Sequence, residues 1–183
     1  MTSHYPDSQK TGQQLRIEAI EAMNAAITAS GLPDGWHAIG PNAEPWNPPT
    51  EEFLGAGCTT QPGDDGQRFD VSLAHTPDDD PVAFAKKMGQ FWSDQGYTVS
   101  LVGDEDRGPG HDTSYRADRR DGSLYAAIYA NAIGYTLSVY SECSTHPSLD
   151  MFAGPNGYRK FDWNDPNPYH PTNSPSVTPY PKH

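Results

Sequence analysis

SYRADRRDGSLYAAIYANAIGYTLSVYSEC, residues 114–143, is the stretch on which the fold turns. Leu124, Ala126, Ile128 and Ala130 alternate with Tyr125, Ala127 and Tyr129, the two-residue period of a strand with unlike faces. Asp121-Gly122 before it has the composition of a tight type I′ hairpin turn, which predicts pairing with residues 114–120. Asn131 to Gly134 then turns the chain again, and residues 135–143 return as a third strand. An antiparallel meander follows, apolar on one face and rich in tyrosine on the other.

Two helices are expected to cover the apolar face. Thr11 and Gln14 have capping-box spacing, and Leu15, Ala19, Ile20, Met23, Ala26 and Ile27 follow at helical spacing. Ser30-Gly31 with Pro33 stops that helix. Phe69, Val71 and Leu73 alternate as a further strand. Asp80-Pro81 opens a second helix with Phe84, Met88, Phe91 and Trp92 on one stripe, closed at Gly96. Tyr97, Val99 and Leu101 alternate again. Residues 35–40 read as a short strand, residues 41–66 as a Pro-rich surface connection anchored by Trp46 and Phe53, and residues 103–113 as an acidic, Gly-rich loop. The expected fold is a single α+β domain. Its mixed or antiparallel sheet has four to six strands, two helices on one face and one disulfide. Residues 1–10 are a flexible N-terminus, 11–145 the α+β domain, and 146–183 a Pro-rich C-terminal extension with a disordered end.

The disulfide is read from Cys58 and Cys143, the two cysteines of the chain. Cys143 shares strand parity with Tyr135, Leu137 and Val139, so its side chain leaves on the apolar face. A bridge between such distant positions persists only in an oxidising compartment. This places the protein outside the cell or in the envelope, or in the cytoplasm if the native chain starts at Met1. Residues 1–7 are polar and show no apolar signal core, and no stretch approaches the ~20 apolar residues of a membrane span. A formal charge of −12 over 183 residues argues against a nucleic-acid partner and is compatible with a basic protein.

Motifs for chemistry are missing. The sequence has no Gly-x-Ser-x-Gly, GxGxxG, P-loop or His-Glu-x-x-His, so no catalytic residue and no cofactor are expected. No metal site is expected either. The nearest to one is the loop bearing Asp104, Asp106, His111 and Asp112, whose spacing follows no known cation loop. His75 at a strand end reads as a satisfied half-buried histidine. Tyr125, Tyr129 and Tyr140, with outward parity on neighbouring strands, and Arg116 beside them are the candidate binding residues; Arg116, Arg119 and Arg120 are the one basic concentration.

The order of a leading amphipathic helix, Cys58 before the β-α-β part, Gly96-Tyr97, a meander and Glu142-Cys143 before a Pro-rich tail resembles small secreted lipoproteins of actinobacteria and mycobacteria, the LppA-like group. The resemblance spans roughly residues 11–145. It implies a cell-envelope home and a lipid anchor on the precursor, and it carries over no reaction or catalytic residue. The expected function is therefore non-enzymatic binding, to a protein or an envelope component. The alternative is an acidic inhibitory or immunity-type protein, of phage or toxin-system origin, that binds a basic protein partner.

Overall fold

The computed structural model describes residues 8–39, 43–48, 54–59, 65–107 and 110–149. Its elements, in chain order, are α1 (Gly12–Ser30), β1 (His37–Ala38), β2 (Leu54–Thr59), β3 (Asp65–His75), α2 (Pro81–Asp94), β4 (Thr98–Arg107), β5 (Gly110–Asp118), β6 (Leu124–Ala130) and β7 (Tyr135–Ser141), with a short 3-10 turn over Pro147–Leu149. All seven strands form one sheet in the order β1-β3-β7-β6-β5-β4, and β2 lies on the same edge of β3 as β1. Every pairing is antiparallel, so the sheet is neither mixed nor limited to six strands.

The helices form for the local reasons read in the sequence. Thr11 accepts from the Gln14 backbone and Gln14 returns the bond, a complete capping box. Asp80 caps α2 by accepting from the Ala83 backbone N–H at 2.8 Å, with Pro81 in the first turn. Both helices pack on one face of the sheet, α1 over β7 and β3, α2 over β5, β6 and β4. Between them lies the core: Leu15, Met23 and Met88 from the helices, Phe69, Leu73, Ile128, Tyr135, Leu137 and Val139 from the strands. Trp36 and Trp92 belong to this core. β3 and β4 run in the same direction with three strands between them, and α2 spans that gap.

Three differences from the sequence reading are physical in origin. β2 falls within the stretch read as a surface connection. Gly55, Ala56 and Gly57 give it almost no side-chain pattern, and its pairing with β3 is carried by backbone bonds. The acidic loop read over 103–113 is the end of a long hairpin, in which Asp106 faces His111 in register. The turn at Asp121-Gly122 is not type I′, which needs positive φ at both central residues. Only Gly122 has it (φ 74°). The Arg119 carbonyl accepts from the Gly122 N–H, and Asp121 accepts from the Ser123 N–H and Oγ.

The packed body also reaches beyond 11–145. Ser8 bridges Ser144, Lys10 pairs with Glu18 and Glu142, and Leu149 is buried in the core. The remainder of the Pro-rich extension and Phe53 lie outside the described residues.

Cys58 and Cys143 are joined, with their Cα atoms 5.9 Å apart and 85 residues between them in sequence. Cys58 opposes Gly66 of β3 in register. A Cβ on Gly66 would lie 2.5 Å from the Cys143 sulfur, so the bridge requires the bare backbone there.

Candidate functional site

The face of the sheet away from the helices carries the candidate site. Pairing puts Arg68 and Asp70 of β3, Tyr140 of β7, Tyr125 of β6, and Arg116 and Asp118 of β5 on that face, across four adjacent strands. Tyr125 and Tyr140 are direct cross-strand partners, and their rings stack at 4.2 Å between centroids and 13° between planes. The Arg116 guanidinium lies 4.0 Å from the Tyr125 ring centre; that of Arg68 lies 5.3 Å from Tyr140 and 5.7 Å from Tyr125. Each arginine is held by an acid two residues on. Arg116 donates to both carboxylate oxygens of Asp118, and Arg68 pairs with Asp70 at 3.1 Å.

The result is a compact cluster: two stacked phenols, one guanidinium over Tyr125 and a second alongside both rings. The facing phenol surfaces are occupied by each other, Arg116 covers Tyr125, and Arg68 lies beside the pair at nearly equal distances from both ring centres. A sugar ring seeking an open aromatic face would not find one between the tyrosines. The cluster offers ring edges and charged planes in a fixed array, which suits contact with a folded or extended protein surface. Burial pushes the Asp70 carboxyl above its usual range, against the pull of Arg68.

Of the four binding residues expected from sequence, three converge: Arg116, Tyr125 and Tyr140. Tyr129 has the expected outward parity but stands apart, accepting a hydrogen bond from Asn131 at 3.0 Å. Arg68, Asp70 and Asp118 were not among the expected residues. The signal for them was parity on a strand already assigned, since Arg68 and Asp70 alternate with Phe69 and Val71.

The acidic cluster divides between two faces. Asp104, Asp106 and His111 share the helix-side face of the β4–β5 hairpin, while Asp112 pairs with Glu105 on the other. His111 donates from Nδ1 to Asp106 at 2.7 Å and from Nε2 to Asp104. Both ring nitrogens are thus committed to carboxylates, whose hydrogen bonds hold the imidazole pKa above its usual value. Among the described residues, no set of three or more His, Cys, Asp or Glu converges as metal ligands. The candidate loop of Asp104, Asp106, His111 and Asp112 is an internally paired hairpin end.

His75 sits between Trp36 and Tyr135, with its ring nitrogens 2.5 and 2.9 Å from the carbonyl oxygens of Thr76 and Asp34. It is a tied histidine at a strand end. Both cysteines are in the bridge, so neither is available as a thiolate nucleophile. No helix among the described residues is long and apolar enough to cross a membrane.

No family model matches the chain, and no curated protein does. Among solved structures, the chain is similar to a DUF4853 family protein from Actinomyces odontolyticus. The TM-score is 0.52 and the identity 10%, over 80% of this chain and 76% of that one. At this identity the likeness concerns the fold alone.

Proposed function

We propose that this chain is a non-enzymatic binding protein of the cell envelope or the secreted pool, and that the outer sheet face is its contact surface. The observation that carries this reading is the cluster of stacked Tyr125 and Tyr140 with Arg116 over one ring and Arg68 alongside both. It is a prearranged array of the residue types that dominate protein contacts, on a face that the helices leave uncovered. The Cys58–Cys143 bridge supports an oxidising compartment. The layout shared with LppA-like lipoproteins supports an envelope home with a lipid anchor on the precursor.

The test uses the full chain, immobilised and incubated with an actinobacterial envelope fraction. Tyr125→Ala and Arg116→Ala should each reduce retention of the captured component about tenfold. Lys86→Ala, on the exposed side of α2, should leave it unchanged. Equal capture by all three variants would remove the outer face from the function. Free thiols at Cys58 and Cys143 in protein alkylated directly in its native host would overturn the exported setting.

A further inference from the structure

We propose that the open edge of β4 docks an extended basic segment of a partner protein, which joins the sheet as an additional strand. This deepens the binding reading by naming a kind of partner, and it rests on that reading but not on the tyrosine pair.

β4 is the last strand of the sheet, and among the described residues it pairs only with β5. Over Thr98–Arg107 every second residue therefore turns its backbone N–H and C=O away from the sheet, a ready template for another strand. Leu101 and Val102 stand 51% and 59% exposed on this edge. Directly after Gly103 come Asp104, Glu105 and Asp106, all exposed; Asp104 and Asp106 share the single His111 imidazole, which leaves the stretch net acidic. Between the two groups the register shifts from Leu101 to Gly103, and the ladder with β5 resumes beyond it. From β4 an open hollow of about 210 Å³ runs inward over the outer sheet face, lined by Val102, Gly103 and Glu105 of β4, Asp112 and Ser114 of β5 and Tyr129 of β6. A Cβ on Gly103 would lie 2.6 Å from the Ser114 hydroxyl, so the backbone comes unusually close there.

The chemistry selects the occupant. Paired apolar and acidic stretches on one open edge call for an extended segment with an apolar residue beside two or three Lys or Arg. Acidic side chains also protect edges from aggregation, but that role alone does not explain Leu101 and Val102 exposed on the same edge. A second copy of the chain is disfavoured by charge, because each carries a formal −12.

The experiment titrates the ¹⁵N-labelled full chain with synthetic peptides of roughly ten residues, alternating Val and Thr and ending in Lys-Arg-Lys. One control has Glu in place of the basic residues; another is N-methylated at alternate positions and cannot pair as a strand. The basic peptide should shift and protect β4 amides while leaving those of Tyr125 and Tyr140 unmoved. Binding should weaken at least about tenfold between about 50 and 300 mM salt, and to a similar extent with the N-methylated peptide. Val102→Lys, which leaves the His111 contacts intact, should weaken it at least about fivefold. No β4 response at millimolar peptide would overturn the proposal, as would equal binding of the N-methylated peptide or a response confined to the Tyr125–Tyr140 pair. A peptide-free dimer with protected β4 amides would overturn it in favour of a second copy. Continued envelope capture through Tyr125 and Arg116 after such a failure would remove the edge and keep the binding reading.

Discussion

At the residue scale, the clearest electrostatic feature is His111. Its imidazole sits between two carboxylates at the end of the β4–β5 hairpin, and hydrogen bonds to Asp106 and Asp104 favour the protonated ring over the slight burial that opposes it. The folded pKa therefore lies above the ordinary 6.5. A raised histidine pKa contributes stability that is complete below the unfolded value and is lost as pH rises through the folded one. In an NMR titration the His111 ring should reach its midpoint above 6.5, and Asp106→Asn should bring it back toward that value. A native midpoint at or below 6.5 would contradict the bridging geometry. The sequence showed these side chains as neighbours on an acidic loop, not as two paired strands. Their actual arrangement depends on Asp106 and His111 meeting in register, and register between two polar segments leaves no apolar trace. The tyrosines were easier. Alternation with Leu124, Ile128 and Val139 fixed the outward face of Tyr125 and Tyr140. Alternation alone could not say that Tyr140 would land opposite Tyr125 while Tyr129 would land opposite Thr136.

At the scale of elements, the strongly patterned ones were legible and the weakly patterned ones were not. α1 and α2 announce themselves by caps and apolar stripes, and β3, β6 and β7 by alternation against the core. β2 has glycines where a pattern would be, and the outer halves of β4 and β5 are acidic on both faces, so their strands exist by pairing with neighbours rather than by burying a face. The joint between strand and helix is governed by one side chain. Tyr135, on β7, stacks on Phe84 of α2 at 3.9 Å. Its hydroxyl donates to the Asp79 carbonyl at 2.7 Å and accepts from the Asp79 N–H at 3.0 Å, just before the helix cap. Tyr135→Phe keeps the ring contact and removes these two bonds, with a longer third one from the Asp78 N–H at 3.4 Å, in a part-buried setting. It should lower the urea unfolding free energy by about 1–3 kcal/mol with unchanged far-UV circular dichroism. An unchanged midpoint would mean that water replaces the hydroxyl at no cost, and that α2 is positioned by packing alone.

For the whole molecule, the decisive long-range link is covalent. Among the described residues, β2 pairs with the sheet along one side, through β3. The Cys58–Cys143 bridge gives it a second attachment, to the residues that follow β7. That pairing was legible because the chain has two cysteines, one of them with core parity; the need for Gly66 beneath it was not, since it depends on how β2 registers against β3. Closing a loop with 85 residues of sequence separation removes conformational freedom from the unfolded chain worth about 4–5 kcal/mol in the chain-entropy description. Domains of this size are stable by only about 5–15 kcal/mol, so the bridge accounts for a large share. Urea unfolding followed by tryptophan fluorescence should show the Cys58→Ala/Cys143→Ala variant less stable by roughly that 4–5 kcal/mol. Amide exchange in the same variant should rise first in β2 and remain slow in β6 and β7, which have strand neighbours on both sides. A loss below about 1 kcal/mol would show that β2 is held by its ladder with β3 and needs no crosslink. The bridge would then no longer tie the stability of the fold to an oxidising compartment.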